Sequence, residues 1–208
     1  INQMGFNAVL MANSSCPPLL SAPTGITTSN QQQCEKQINA ILNTVVKKED
    51  IKDVLIFTRG PIYFTGISIE LSKPRRPPEM DIETFFVGLQ NTINYLNKYG
   101  KRVFYITENP ELITDPRACL RRPFRSAQND CSISKKDVET RQEQYILGLK
   151  KITGCTILDL REQFCPTDSC LAFSNGKLLY ADSDHLSVSG SEFLATHLLP
   201  SLKSAISN

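Results

Sequence analysis

A chain of 208 residues with 40% hydrophobic and 21% charged side chains has the make-up of an ordinary globular protein and is long enough to bury one large core, so a single domain is expected over residues 1–208. Its 23 basic and 21 acidic side chains cancel to a net charge of +2, which leaves no broad field to steer nucleic acid, and no nucleic-acid partner is expected. The longest apolar runs, such as 8–12 and 54–57, are strand-sized and far below the roughly 20 residues that span a bilayer. Residues 1–5 read Ile-Asn-Gln-Met-Gly with no basic or apolar leader, so any signal or membrane anchor is expected upstream of Ile1.

Taken in chain order, the hydrophobic period switches repeatedly between that of a strand and that of a helix. Residues 6–11 form a first apolar strand, after which Ile38, Ile41, Leu42 and Val45 mark a helix over 34–47. A second strand at 54–58 leads, through an irregular Pro-rich stretch at 74–78, to a helix over 80–99 with Phe85, Leu89, Ile93 and Leu96 on one face. Gly100 stands where a helix C-cap belongs, just before a strand at 103–107. Val138, Tyr145 and Leu149 mark a helix over 135–150, followed by a strand at 156–160, and a last helix at 189–205 carries Phe193, Leu194, His197 and Leu198. Strand and helix in alternation imply parallel pairing through right-handed crossovers. The expected fold is α/β, a three-layer α/β/α sandwich with a parallel sheet of flavodoxin-like type. Its site belongs in the segments that follow the strands: 13–18, 59–63, 108–116 and 161–185.

Seven cysteines, most in loops beside Pro, Ser and Asp, favour disulfides and an oxidising compartment. Three local pairings are expected, Cys16 with Cys34, Cys119 with Cys131 and Cys165 with Cys170, each worth on the order of 2 to 3 kcal/mol if geometry permits. Cys155 is left over beside a strand and reads as a small buried hydrophobe. With no Cys-x-x-Cys pair and His185 and His197 as the two histidines, neither a metal nor another cofactor is expected. Two basic clusters, Lys73, Arg75 and Arg76, and Arg117, Arg121, Arg122 and Arg125, read either as solvated loop charge or as a surface for anionic head groups.

The segment with most chemical content is Tyr180-Ala181-Asp182-Ser183-Asp184-His185-Leu186-Ser187. A carboxylate that holds the Nδ1 proton of an imidazole makes it a useful general base and stabilises the imidazolium formed in reaction, and a spacing of three in a loop lets Asp182 and His185 meet. The plainer reading is a helix cap beside an exposed histidine. Asp184 is expected to cap or contact backbone, and His197 to lie in the core or at its boundary.

Asp182-Ser183-Asp184-His185-Leu186-Ser187-x-x-Gly190-Ser191 before a closing amphipathic helix resembles the last catalytic block of the SGNH hydrolase and acyltransferase superfamily. Several further landmarks resemble, more narrowly, the periplasmic SGNH domain at the carboxyl end of bacterial membrane acyltransferases that O-acetylate O-antigen or similar surface glycans. They are Ser15-Cys16-Pro17-Pro18-Leu19, the strand leading to Arg59, the run from Gly100 to Ile106, Cys119-Leu120, and the Cys165 to Cys170 pair. The resemblance implies that Asp182 and His185 are two members of a Ser-His-Asp triad. It also implies a periplasmic domain tethered to the inner membrane through its upstream part, an acetyl donor delivered by an upstream membrane acyltransferase domain, and a polysaccharide acceptor. One departure stands out. The superfamily's Gly-Asp-Ser segment occurs nowhere in the sequence, so the nucleophile and the first strand are expected upstream of Ile1, and residues 1–208 alone are expected to be inactive. The glycine and Gly-x-Asn-Asp blocks are also not recognisable; Asn13-Ser14-Ser15 and Thr58-Arg59-Gly60 stand near their positions, and Arg59 is the oxyanion candidate. Two further functions fit the same landmarks: a catalytically silent module that presents glycan, and a secreted carbohydrate esterase.

Overall fold

The computed structural model describes residues 7–66, 77–120 and 131–207. The core is a parallel sheet of three strands among these residues, ordered β1 (Asp53–Phe57), β2 (Arg102–Ile106) and β4 (Thr156–Leu158). Opposite residues in the register share a face: Ile56, Tyr105 and Ile157 point to one side, and Phe57, Ile106 and Leu158 to the other. On the first side lie α1 (Thr28–Lys47), α3 (Ile82–Lys98) and α4 (Lys135–Leu149), whose Ile38, Leu42, Phe85, Leu89, Ile93, Tyr145 and Leu149 form one cluster with Ile56, Val103 and Tyr105. On the second side α6 (Val188–Ser207) brings Phe193, Leu194 and Leu198 against a separate cluster that contains Ile106, Leu160, Phe164 and Tyr180. Helices on both faces of a parallel sheet make the α/β architecture expected from the alternating pattern.

Local signals explain where the helices begin and end. Thr27 caps α1 by accepting the Asn30 amide, and Asp81 caps α3 by accepting the Thr84 amide. Gly100, at φ 72°, follows the end of α3 in the left-handed region that a side chain disfavours. The next residue, Lys101, is buried, and its ammonium donates to the Lys48 and Ile51 carbonyls at 2.7 and 2.8 Å, tying the end of α1 to the entry of β2.

Three expectations change. Helix α1 starts at Thr28, a turn and a half before the predicted start, because the polar run of Ser29 to Gln33 is exposed helix surface that apolar periodicity does not detect. Residues 7–11 are irregular, with Val9 and Leu10 71% and 90% exposed, so the predicted strand at 6–11 does not form among the described residues. An apolar run becomes a strand only where a ladder partner meets its amides, and none of the three sheet strands pairs with it. The strand predicted at 156–160 ends at Leu158, where the Thr107 hydroxyl takes the Leu160 amide at 2.9 Å and Asp159 turns back to Arg161.

Short elements absent from the sequence reading occupy the connections between the main strands and helices. They are α2 (Ile62–Thr65), a 3-10 turn at Pro116–Cys119, β3 (Ile133–Ser134) paired with β5 (Ser169–Cys170), α5 (Arg161–Phe164), and a hairpin of β6 (Phe173–Ser174) with β7 (Lys177–Leu178). The three disulfides form as paired above, Cys16–Cys34, Cys119–Cys131 and Cys165–Cys170, and staple these poorly laddered parts. Cys155 is half-buried and outside any disulfide, and burial pushes its thiol up.

The outer edge of β1 has no strand beside it among the described residues, and Leu55 and Phe57 on its second face are 37% and 50% exposed. The opposite face is closed around Phe85, fully buried among the rings of Tyr63, Phe64, Phe86 and Tyr145. Phe85→Ala should therefore lower the unfolding free energy by about 3–5 kcal/mol in chemical denaturation, since the ring's neighbours belong to three elements that cannot collapse together.

Candidate active site

The site forms where the carboxyl ends of β1 and β2 meet the loop before α6. Tyr180 and Leu186 make an isolated antiparallel bridge and the Ala181 amide donates to the His185 carbonyl at 2.8 Å, which pinches residues 181–185 into a tight loop. The segment after β2 holds that loop from below. The Leu112 amide donates to the Ser183 carbonyl at 2.7 Å, Asn109 Nδ2 to the Asp184 carbonyl at 3.2 Å, and the Tyr180 hydroxyl to the Pro110 carbonyl at 2.8 Å. On the far side, Ser187 Oγ accepts the Gly190 amide at 3.0 Å and donates to the Leu178 carbonyl at 2.6 Å, fixing the start of α6. A Cβ at Gly190 would run into the Leu179 carbonyl, so only glycine allows α6 to begin this close to the end of β7.

Within the loop Asp182 and His185 face each other. Asp182 Oδ2 is 2.9 Å and Oδ1 3.1 Å from His185 Nδ1, while Oδ1 also accepts the Asp184 and His185 amides at 3.0 and 2.7 Å. Asp182 thus ties the loop's own amides as well as the imidazole, and it caps no helix, since α6 begins at Val188. Partial burial works against its charge but is outweighed by these amides and by the ring, which hold its carboxyl below the ordinary value of 3.8. The His185 side chain is 74% exposed, with Nε2 free of protein partners among the described residues. With Nδ1 turned to a carboxylate and Nε2 to solvent, the ring can accept a proton from a hydroxyl brought to its open edge.

Asp184 does not take the capping role expected of it. Its side chain is 10% exposed, its Oδ2 pairs with Arg59 Nη1 at 2.9 Å, and the same oxygen lies 3.5 Å from His185 Nδ1. Behind it stands a charged network that the sequence reading missed. Arg59 Nε bonds Glu111 Oε1 at 2.5 Å, and Arg141 reaches the same Glu111 oxygen at 2.8 Å and Glu108 Oε1 at 2.5 Å. Gln142 Nε2 and the Gly60 amide complete Glu108 at 3.0 and 3.1 Å. Burial works against the charge of Arg59, but the bond to Glu111 and the charges of Glu111, Asp184 and Glu108 outweigh it and raise its pKa. Burial pushes the Glu108 carboxyl up, and Arg141 only partly opposes this. One signal could have found the network: Gln142 lies on the Val138-Tyr145-Leu149 stripe of α4, a polar residue at a core position.

Arg59 Nη2 is buried without a hydrogen-bond partner among the described residues, which leaves one donor direction of the guanidinium unspent. Ligand atoms of Asp182, Asp184 and His185 lie within 4.8 Å of one another, a spacing that could hold a cation, but Arg59 already balances Asp184 and backbone amides already occupy Asp182. His197 is exposed rather than in the core or at its boundary, with its ring 4.3 Å from that of Phe193 and Nδ1 2.8 Å from the Phe193 carbonyl. Of the basic clusters, Arg117 is exposed and paired with Asp115, and the other five arginines and Lys73 lie outside the described residues. A cavity of about 290 Å³ beside the Cys16–Cys34 bridge, lined by Asn13, Thr24, Asn30, Gln37 and Glu79 among others, includes none of the dyad residues.

A family model described as an SGNH domain fused to AT3 domains matches residues 1–200. The chain belongs to this SGNH family. That membership agrees with the α/β fold and makes the chain an SGNH module of acyltransferase type. No curated protein matches the chain.

Two outcomes test the geometry of this SGNH site. A carboxyl held below its ordinary pKa contributes stability that is present above that value and is lost as pH falls through the lowered one. Asp182 should therefore titrate below 3.8 by side-chain carboxyl NMR, and His185→Ala should move its midpoint upward. Gly190→Ala should cost about 1–3 kcal/mol in denaturation and weaken amide protection at His185 and Gly190, because the added methyl forces α6 off the Leu179 carbonyl.

Proposed function

We propose that this SGNH domain transfers an acetyl group to a sugar hydroxyl of lipopolysaccharide O-antigen or a similar surface polysaccharide, through a Ser-His-Asp triad completed by a serine from a Gly-Asp-Ser segment preceding Ile1. The observation that carries the reading is the 2.9 Å contact of Asp182 Oδ2 with His185 Nδ1 in a loop that leaves the far edge of the ring open. The serine Oγ attacks the acetyl carbonyl while His185 Nε2 takes its proton, and Asp182 holds the resulting imidazolium. Collapse of the tetrahedral intermediate expels the donor's oxygen, which recovers that proton. The sugar hydroxyl then attacks the acetyl-serine, giving its proton to His185, and collapse of the second intermediate returns that proton to the departing serine Oγ. Water in place of the sugar makes the same site an esterase. Arg59 Nη2 is the nominated donor to the oxyanion of each intermediate.

Three further observations favour this assignment. The unpaired edge of β1, with Leu55 and Phe57 exposed beside it, suits a further strand and the helix after it. The three disulfides suit the periplasm. The AT3 domains of the family suit an upstream membrane domain that delivers the acetyl donor and tethers the SGNH module to the inner membrane. One observation favours a second reading: without a Gly-Asp-Ser in these residues, the module could present glycan without catalysing transfer.

A chromogenic acetyl ester separates the two. The complete protein should hydrolyse it, with His185→Ala lowering turnover by about 100-fold or more and Arg59→Ala lowering it with folding intact. Residues 1–208 alone should be inactive. Turnover insensitive to His185→Ala would remove the triad, and hydrolysis by residues 1–208 would remove the upstream serine.

A further inference from the structure

We propose that Glu111 is a positioning residue for His185, acting through Arg59 and Asp184. The inference rests on the reading of His185 as the proton-accepting base.

A continuous line of contacts runs from the interior to the surface. The Glu111 side chain is 2% exposed, Arg59 28%, Asp184 10% and His185 74%, so the line starts in the interior and ends on the imidazole. Its links are Glu111 Oε1 to Arg59 Nε at 2.5 Å, Arg59 Nη1 to Asp184 Oδ2 at 2.9 Å, and Asp184 Oδ2 to His185 Nδ1 at 3.5 Å. Glu111 is itself fixed, because Arg141 of α4 reaches the same oxygen at 2.8 Å.

The choice of atoms gives the line its effect. Nε is the guanidinium nitrogen nearest the side-chain stem, and a bond there stops rotation of the planar group about its last flexible torsions. With Nε held by a buried carboxylate, Nη1 has a set direction, and Asp184 is where it points. Asp184 then offers the oxygen it shares with Arg59 to the His185 ring. The imidazole is met at one nitrogen by two carboxylates, Asp182 at 2.9 Å and Asp184 at 3.5 Å, and the second is moderated by a guanidinium. Beyond these, the Arg117 charge is felt at Asp182 from the exposed 3-10 turn. Asp182 alone would let the ring swing about a single contact, and Asp184 limits that swing while adding negative potential where the imidazolium forms.

The chain's two histidines make the test direct, since exposed His197 on α6 serves as an internal reference. In the complete protein, Glu111→Gln, Asp184→Asn and the double variant are compared with wild type for kcat and KM on a chromogenic acetyl ester and for the imidazole ring resonances by NMR at one fixed pH. Each single variant should lower kcat by about 3- to 30-fold with KM unchanged. Each should shift the His185 ring resonances, which report the contacts at Nδ1, with those of His197 unmoved. The double variant should be no worse than Asp184→Asn, because both remove one line of contacts.

A folded Glu111→Gln protein with wild-type kcat and unmoved His185 ring resonances overturns the proposal, and so do additive losses in the double variant. If Glu111→Gln fails to fold, Asp184→Asn and Arg59→Gln take its place, and unmoved His185 ring resonances in both are equally fatal. If the wild type shows no turnover dependent on His185, the triad fails, while the ring resonances still decide whether Glu111 governs the ring.

Discussion

Two carboxylates, Glu108 and Glu111, are buried just past the end of β2, the strand with a neighbour on either side, and this sets the terms for everything around them. Taking an ionised carboxylate out of water costs several kcal/mol unless cations and donors replace the lost solvent. The replacements come from different parts of the chain: Arg141 and Gln142 from α4, and Arg59 and the Gly60 amide from the turn after β1. Each of those segments is therefore held to the others by the need to keep two charges satisfied. Arg59, carried into the network by Glu111, turns its Nη1 to Asp184. The loop with the Asp182–His185 pair is thereby coupled to the interior of the domain, although the pair itself is largely exposed.

This division of labour explains why so open a dyad can keep its geometry. An exposed ion pair at three-residue spacing is worth little by itself and loses much of its attraction to solvent. Here the pair is the visible end of a loop closed by the Tyr180–Leu186 bridge, supported by Leu112, Asn109 and Pro110, and capped onto α6 by Ser187. Rigidity comes from these neutral and buried bonds, and the ion pair adds direction. On the proposed triad, where a base must meet a hydroxyl from another segment, a rigid exposed imidazole is the useful arrangement.

How far the sequence could be read differed between elements for physical reasons. The strands at Asp53–Phe57 and Arg102–Ile106 and the helices of the first face were legible because burial on one face leaves an apolar period, and burial on both leaves an apolar run. The run at 7–11 has the same character but no ladder partner among the described residues, and it is not a strand. Composition marks a segment as suited to pairing without saying that a partner stands beside it. His197 misled in a similar way: it shares a face with Phe193, but a long helix lying over the edge of a small sheet leaves part of that face in solvent.

By itself the sequence determined what depends on near neighbours in the chain: the alternation of strand and helix, three short-range disulfides, and a carboxylate three residues before an imidazole. Each is governed by local spacing, whether a period of two or 3.6, a short loop to be closed, or a turn that brings one side chain over another. The tertiary structure alone decided that Asp184 serves an ion pair, that Arg59 is spent on two carboxylates, and that Glu111 and Arg141 underlie the site. These partners stand tens of residues apart in sequence, and a charged residue carries no mark of which opposite charge it will meet. Only the packing of α4 and the strand ends brings them within 3 Å, where their attraction can offset the loss of water.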